Sequence, residues 1–124
     1  MANIGWFDIP ADDVGRAKKF YRSLLGWKIE PLTDFEDPSQ QRQSVITGEP
    51  REGTMHMGGL YKRMMPGQIL VFVIVEDIDT VLARVEKLGG KIDMPGTEIR
   101  DVGVVGVIQD TEGNKLGLWT PEGR

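Results

Sequence analysis

The sequence predicts an α+β fold of two βαβββ modules in tandem, which form a curved mixed sheet with the helices outside. The first observation is a strand–helix–strand pattern at residues 4–29 that recurs at residues 69–92. The second is an echo at the end of each half, because Gly59-Leu60-Tyr61 returns as Gly117-Leu118-Trp119. We therefore expect one domain. Module one should cover residues 1–62, a linker 63–68, and module two 69–124.

The composition is that of an ordinary soluble globular protein, with 40% hydrophobic and 27% charged residues. A net charge of −4 argues against nucleic acid or an anionic membrane as a partner. The absence of cysteine excludes disulfides, a thiolate zinc site and a cysteine nucleophile. The first residues lack the pattern of a signal peptide, and the longest apolar run is too short to span a bilayer. We expect a cytoplasmic protein.

Local signals predict the first strand and helix of module one. Residues 4–9 are rich in β-formers, and we expect Pro10 to end this strand because proline donates no ladder hydrogen bond. Asp12 or Asp13 can cap the helix, since a carboxylate accepts from the free amides of the first turn. Gly26 suits the left-handed position after the last turn. The apolar stripe of the helix comprises Val14, Ala17, Tyr21, Leu24 and Leu25.

Three further strands complete module one, and we expect them at residues 27–30, 44–47 and 55–61. The polar stretch 34–43 is typical of a mobile surface loop, and residues 48–53 are typical of a hairpin tip. These assignments leave each strand of the module with one face to cover.

Module two repeats the plan. Asp77 can cap a helix that Gly89-Gly90 ends, and Pro95-Gly96 should stop the strand that follows. The strands are expected at residues 69–75, 91–94, 102–109 and 116–119.

Two halves of this form resemble the vicinal oxygen chelate superfamily, which is the glyoxalase, bleomycin-resistance and extradiol-dioxygenase group. The resemblance covers essentially the whole chain, but it does not single out one activity, because this fold hosts several unrelated chemistries. The stretches that carry it are Trp6-Phe7-Asp8-Ile9-Pro10 with Asp12-Asp13 and Arg16-Ala17, Phe20-Tyr21 with Leu25-Gly26-Trp27, and residues 110–119.

The resemblance also implies where a metal would bind. In metal-dependent members the ligands come from the opening strand and the last strand of each half. Carried over by local pattern, these positions are Trp6, Gly59, Leu70 and Gly117. None of the four supplies the imidazole or carboxylate that a divalent metal needs. We therefore predict no metal and no other cofactor, and a divalent metal would need ligands from elsewhere.

Strand alternation places a mainly apolar set of side chains on the concave side of the predicted sheet. We expect the two glycines of this set to open volume and Trp6 to make the cavity apolar, as is typical of a small-molecule site. The same side chains can instead fill the centre of the sheet as core. The set is Trp6, Asp8, Met57, Gly59, Tyr61, Leu70, Phe72, Gly117 and Trp119.

Two polar residues are candidates for a role in this pocket. Asp8 can orient a ligand or act as a general base, or it can be the structural partner of a backbone amide or a nearby Lys or Arg. His56 is the only histidine. Alternation puts it on the helix side unless a bulge intervenes, so a ligand contact and a structural role both stay open.

Three functions are compatible with these features. The first is a metal-free protein that binds a small apolar or aromatic molecule on the concave face. The second is an enzyme, a lyase, isomerase or dioxygenase, that uses a non-standard metal site or Asp8 as a general base. The third is a module whose concave face receives a partner protein. The resemblance further implies a homodimer, which would cover exposed sheet edges.

Overall fold

The computed structural model describes residues 2–32, 38–49, 56–64 and 66–123. The chain divides into two compact units. The N-terminal unit is Trp6–Ile69, and the C-terminal unit is Met1–Gly5 with Leu70–Arg124. Each unit combines strands with one α-helix among its described residues, so the predicted α+β class with two βαβββ modules is confirmed.

The N-terminal unit contains β1 (Asn3–Ala11, with its first three residues in the other unit), α1 (Val14–Leu25), β2 (Lys28–Pro31), β3 (Gln43–Ile46) and β4 (Met57–Lys62). Its strands lie in the order β2-β3-β4-β1. β4 runs parallel to β1 and antiparallel to β3. The register places Asp8 of β1 and Ser44 of β3 on either side of Gly59.

The ends of α1 follow the sequence signals. The Asp13 carboxylate accepts a hydrogen bond from the backbone N–H of Arg16 at 2.9 Å. Gly26 takes the left-handed conformation with a φ of 70°, and its N–H donates to the Arg22 carbonyl. Both caps satisfy backbone groups that the helix leaves without partners, so the two predicted helix ends are confirmed.

α1 covers one face of its sheet, where it packs against β2 and β4. The Tyr21 ring on α1 stacks on Trp27 with a centroid distance of 5.2 Å, and Trp27 contacts Phe7 of β1 at 6.0 Å. Phe7 therefore points toward the helix. The buried apolar side chains of this unit are Phe7, Ile9, Ala11, Val14, Ile29, Val45 and Leu60.

The C-terminal unit repeats this arrangement with β5 (Leu70–Ile74), α2 (Ile78–Val85), β6 (Lys91–Ile99), β7 (Gly103–Gln109) and β8 (Lys115–Pro121). The strands lie in the order β5-β8-β7-β6, and β5 runs parallel to β8. The Asp77 carboxylate caps α2 as predicted, and Gly89 is left-handed with a φ of 97°. The buried core of this unit is Val75, Ile78, Leu82, Val85 and Leu118.

Two predicted strand ends are wrong, and each error involves a proline. β1 continues through Pro10. The carbonyl of Ala11, the next residue, accepts from the N–H of Arg63 directly after β4, so the alternating ladder on this side needs no N–H at Pro10. β6 continues through Pro95 and Gly96 to Ile99. It is the last strand in the order of its unit, and its register against β7 shifts around these residues. An edge position and a bulge are the places where a strand tolerates proline.

The remaining connections lie partly outside the described residues. This applies to residues 50–53 of the predicted hairpin tip and to residues 34–37 of the polar stretch 34–43. No helix in the described part of the chain is long and apolar enough to cross a membrane. The cytoplasmic location stays a prediction.

Candidate functional site

Asp8 lies on the face of the N-terminal sheet that is turned away from α1. Its neighbour Phe7 points toward the helix, and successive side chains of a strand alternate between the two faces. Asp8 is only 7% exposed. A carboxylate this deeply buried needs partners to compensate for its lost hydration.

Two donors converge on one oxygen of this carboxylate. Arg42 Nη1 and Trp6 Nε1 each lie 3.0 Å from Asp8 Oδ1. The ion pair with Arg42 is largely shielded from water, because the side chains of Arg42 and Asp8 are 16% and 10% exposed. Asp8 therefore has the structural arginine partner that the sequence leaves open as one of its possible roles. A role of Asp8 toward a ligand would be additional to this pairing.

The guanidinium of Arg42 is held from further sides. Its Nε donates to Gln40 Oε1 at 2.9 Å, and its Cζ lies 4.5 Å from the centroid of the Tyr61 ring. Such a position over an aromatic face is a cation–π contact. The cluster formed by Trp6, Asp8, Arg42 and Tyr61, which we call the Asp8 cluster, therefore combines one buried ion pair with two aromatic side chains.

The environment of the Asp8 cluster shifts the pKa of the Tyr61 phenol. Burial raises the pKa of Tyr61 above its ordinary value, and the negative charge of Asp8 raises it further. The positive charges of Arg42 and Arg63 partly offset this rise. Burial and a neighbouring carboxylate both disfavour the phenolate, so Tyr61 stays a neutral hydroxyl over a wider pH range than a free tyrosine.

Gly59 makes room for the Asp8 cluster. A Cβ atom at residue 59 would lie 2.6 Å from Asp8 Oδ1, 3.1 Å from Arg42 Nη1 and 3.4 Å from Trp6 Cζ2. The prediction that glycine opens volume at this position is therefore wrong, because the ion pair and the indole occupy the space. Asp8 of β1 and Arg42 can form their ion pair across β4 in this way only because residue 59 has no side chain.

Gly117 of the C-terminal unit has the same relation to an aromatic ring. A Cβ atom there would lie 2.4 Å from Phe72 Cδ2, so the Phe72 ring fills the space that was predicted to be open. The register pairs Phe72 directly with Gly117. Two residues after Gly117 in β8, Trp119 donates from Nε1 to the Val102 carbonyl at 3.0 Å. Leu70, at the start of β5, is half-buried. The side chains of Phe72 and Trp119 are therefore engaged in contacts within their own unit.

The remaining pocket candidates lie at the start of β4. His56 is half-buried immediately before the strand, and its carbonyl accepts from the Thr47 N–H at 2.9 Å. Met57 is exposed at the first strand position. The role of either residue toward a ligand stays a prediction.

The four positions implied for a metal do not fit one. Trp6 and Gly59 belong to the Asp8 cluster, Leu70 is aliphatic, and Gly117 lies under the Phe72 ring. Elsewhere in the described residues, no group of three His, Asp or Glu side chains is placed to hold a metal ion. Asp8, the one carboxylate at the site, already accepts from two donors. The donor set at these positions is therefore unsuited to a divalent cation.

Sequence reasoning missed Arg42 and Gln40. Both fall in the polar stretch predicted to be a mobile surface loop, but the described part contains a short 3-10 helix at Pro38–Gln40 and the side chain of Arg42, which is only 16% exposed. One available signal was strand parity. Ser44 pairs with Gly59, so extending the alternation of β3 back by two residues puts Arg42 on the face of Asp8.

Open hollows of about 450 Å³ lie along the exposed side of α1, away from the predicted pocket residues. Phe20 and Leu24 in this region are more than half exposed. A small-molecule site is usually a preformed cleft that buries most of its ligand, which an open helix surface does not provide. The residues along the first hollow are Arg16, Lys19, Phe20, Ser23 and Leu24.

Comparison with known proteins places most of the chain in one family. Residues 3–118 match the model of the Glyoxalase/Bleomycin resistance protein/Dioxygenase superfamily. CFP32 of Mycobacterium tuberculosis, named as a candidate glyoxylase, is 31% identical over 114 residues, 92% of this chain and 44% of that protein. The anthracycline biosynthesis protein DnrV of Streptomyces peucetius is 25% identical over 127 residues, 92% of this chain and 45% of that protein. The chain thus spans less than half the length of these curated relatives.

Solved structures share the fold. A Streptomyces coelicolor methylmalonyl-CoA epimerase variant in complex with 2-nitronate-propionyl-CoA has a TM-score of 0.71 at 14% identity. The match covers 99% of this chain and 96% of that one. At this identity the likeness concerns the fold alone, because one fold supports several chemistries.

Proposed function

The chain belongs to the Glyoxalase/Bleomycin resistance protein/Dioxygenase superfamily, as its sequence pattern predicts, and on that premise we propose that it binds a small, largely apolar or aromatic molecule without a metal ion. The ligand lies against the face of the N-terminal sheet that carries the Asp8 cluster. The observation that carries the proposal is the cluster itself, in which a fixed ion pair stands between the side chains of Trp6 and Tyr61. Small-molecule sites combine aromatic surface with a few precisely held polar groups in this manner.

The chemistry of the donor set supports the metal-free part of the proposal. Trp6, Gly59, Leu70 and Gly117 stand where the resemblance puts metal ligands, and none carries a suitable donor atom. The name of DnrV supports the aromatic part, since anthracyclines are planar aromatic compounds. Binding surfaces built from indole and phenol rings suit such planar partners, because stacked rings bury large apolar areas.

Calorimetric titration of the EDTA-treated protein with 2-acetylnaphthalene, a small planar aromatic probe, tests this function. We expect saturable binding that Trp6→Ala and Tyr61→Ala weaken by at least about tenfold, the cost of losing roughly one aromatic contact. Leu88→Ala is the control, because it removes an exposed apolar side chain outside both the Asp8 cluster and α1. Absence of saturable binding, or binding that appears only after a divalent metal is added, would contradict the proposal.

The second candidate is an enzyme, a lyase, isomerase or dioxygenase, in which Asp8 acts as a general base or a metal is held at a non-standard site. Its support is that both described donors bind Oδ1, whereas Oδ2 of Asp8 accepts neither of them. A base in this position would take a proton from a carbon next to a ligand carbonyl. Hydrogen–deuterium exchange at the methyl group of 2-acetylnaphthalene, followed by NMR, tests the first form. Exchange that Asp8→Asn abolishes supports it, and metal analysis of protein purified without chelators tests the second.

We also propose that the chain forms a homodimer. Exposed apolar side chains on α1 support this, since Phe20, Leu24 and Leu25 are each more than half exposed and apolar surface of this kind often marks an interface. Light scattering at micromolar concentration is the test. A strict monomer would contradict the proposal, and Phe20→Ser with Leu24→Ser would then leave the measured mass unchanged.

A further inference from the structure

We infer that the Arg42 guanidinium provides the fixed positive charge of this site and that the ligand presents an uncharged carbonyl-type oxygen to it. The inference rests on the proposed function and adds the chemical class of the ligand. The site and the family resemblance disagree at residue 59. Residue 59 stands where a metal ligand is implied, yet the position is a glycine and a cationic side chain lies above it.

The geometry over Gly59 locates the charge. A Cβ atom at residue 59 would point directly at Asp8 Oδ1 and Arg42 Nη1, at 2.6 and 3.1 Å. The volume that a ligating side chain would use is therefore occupied by a carboxylate and a guanidinium. The guanidinium brings a permanent positive charge to this place, because arginine does not lose its proton in proteins.

Arg42 is prepared for recognition before any ligand arrives. Asp8 accepts from Nη1, Gln40 accepts from Nε, and the Tyr61 ring lies against the guanidinium, with its centroid 4.5 Å from Cζ. The long side chain therefore has little rotational freedom left to lose on binding, which removes a cost that flexible arginines incur. A planar guanidinium in a largely dry site is a strong partner for an oxygen acceptor.

The neighbouring carboxylate selects the charge of the ligand. Asp8 already balances the charge of Arg42, and at 3.0 Å from Nη1 it would repel an anionic group brought to the same guanidinium. A ketone, quinone or amide oxygen avoids this repulsion and still accepts a hydrogen bond. The side chains of Trp6 and Tyr61 favour a planar conjugated framework for that carbonyl.

Matched probes separate this inference from general aromatic binding. 2-Acetylnaphthalene carries a carbonyl oxygen, and 2-isopropenylnaphthalene has the same shape with a CH₂ group in place of that oxygen. We expect the EDTA-treated protein to bind the ketone at least about tenfold more tightly, as a hydrogen bond to a charged group predicts. 2-Naphthoate should bind more weakly than the ketone because of its negative charge.

A double variant that removes both charges of the ion pair avoids the misfolding that the loss of one charge could cause. Arg42→Gln alone leaves Asp8 buried without its counter-charge, so we pair it with Asp8→Asn, which removes both charges together. We expect this double variant to keep its fold by circular dichroism and to lose most of the preference for the ketone over the alkene, because a neutral amide is a weaker hydrogen-bond donor than a guanidinium. Leu88→Ala should retain the full preference, since Leu88 is an exposed side chain outside both the Asp8 cluster and α1.

The outcomes distinguish the inference from the proposed function. Equal binding of both probes by the wild-type protein would overturn the inference and leave the binding function standing. A double variant that keeps the full preference for the ketone would also overturn it, and so would tighter binding of 2-naphthoate by the wild-type protein. Failure to bind any of the probes would overturn both proposals.

Discussion

Arg42 and Asp8 form an ion pair, with Nη1 3.0 Å from Oδ1, although 34 positions separate them in the chain. The pair joins the polar segment before β3 to the opening strand β1 across Gly59 of β4. It is largely shielded from water, so each charge depends on the other for compensation. The stability of the N-terminal unit and the ligand recognition that we propose for it therefore involve the same contact.

Removing one partner of this pair should be costly. We expect Arg42→Ala to lower the free energy of unfolding by about 3 kcal/mol, because it leaves Asp8 as an uncompensated buried charge. Lys28→Ala is the control, since the Lys28–Glu30 pair is 3.7 Å long with side chains 64% and 62% exposed and should contribute less than about 1 kcal/mol. Urea denaturation measures both. Equal losses would mean that the Arg42–Asp8 pair is no more shielded than a surface pair.

A single methyl group should disrupt the Asp8 cluster. Gly59→Ala would place Cβ 2.6 Å from Asp8 Oδ1, so we expect a loss of about 1–3 kcal/mol from overpacking together with loss of probe binding. Gly48→Ala adds the same methyl group where, chain neighbours apart, no heavy atom of the described residues lies within 4 Å, and it should leave both properties unchanged. Thermal unfolding and calorimetric titration report the two effects. A tolerated Gly59→Ala would show that the ion pair can form without the glycine.

The C-terminal unit offers a parallel test in which the obstructing group is apolar. Gly117→Ala brings a Cβ to 2.4 Å from the Phe72 ring and should destabilise by about 1–3 kcal/mol. Phe72→Leu shrinks that ring, so the double variant should lose less than the sum of the two single losses. A double-mutant cycle from urea denaturation gives this coupling. Strict additivity would show that residues 72 and 117 do not share the space that their register implies.

Features set by local chemistry were predictable from the sequence, and features set by distant contacts were not. The sequence predicts helix caps at Asp12 or Asp13, at Asp77 and at Gly26, because a cap depends on residues within one turn, and the structure uses Asp13 for the first. The role of Gly59 was misjudged because a glycine leaves empty space only if no other side chain enters it. Asp8, Arg42 and Trp6 all enter the space over Gly59, and Arg42 lies in a polar segment whose composition alone predicts exposure.

The two prolines show the same difference between features set by local chemistry and features set by distant contacts. A proline ends a strand only where its missing N–H would have bonded, and that depends on the neighbouring strand. Pro10 lies where β4 requires no donor, and Pro95 lies in the outermost strand of its unit. The sequence identifies the missing donor, but the pairing partner decides its consequence.

Tyr61 should make the stability of the protein sensitive to high pH. Its folded-state pKa is raised, chiefly by burial and next by the charge of Asp8, above the unfolded value of 10.0. The folded state therefore holds the phenol proton more tightly than the unfolded state above that pH. Its contribution to stability is fully present below pH 10.0 and is lost as the pH rises from there through the folded-state pKa.

Tyr61→Phe isolates this contribution. The variant lacks the ionisable hydroxyl, so its stability should decline less steeply above pH 10.0 than that of the wild-type protein, while both should share the same profile near neutrality. Urea midpoints measured across this range test the effect, and tyrosinate absorbance of the folded wild type minus that of Tyr61→Phe locates the pKa directly. Asp8→Asn should lower that pKa, because it removes a negative charge that disfavours the phenolate and leaves the charge of Arg42 unbalanced beside the ring. An unchanged Tyr61 pKa in Asp8→Asn would mean that burial alone controls the phenol. The inference that the charge of Asp8 raises this pKa would then be wrong.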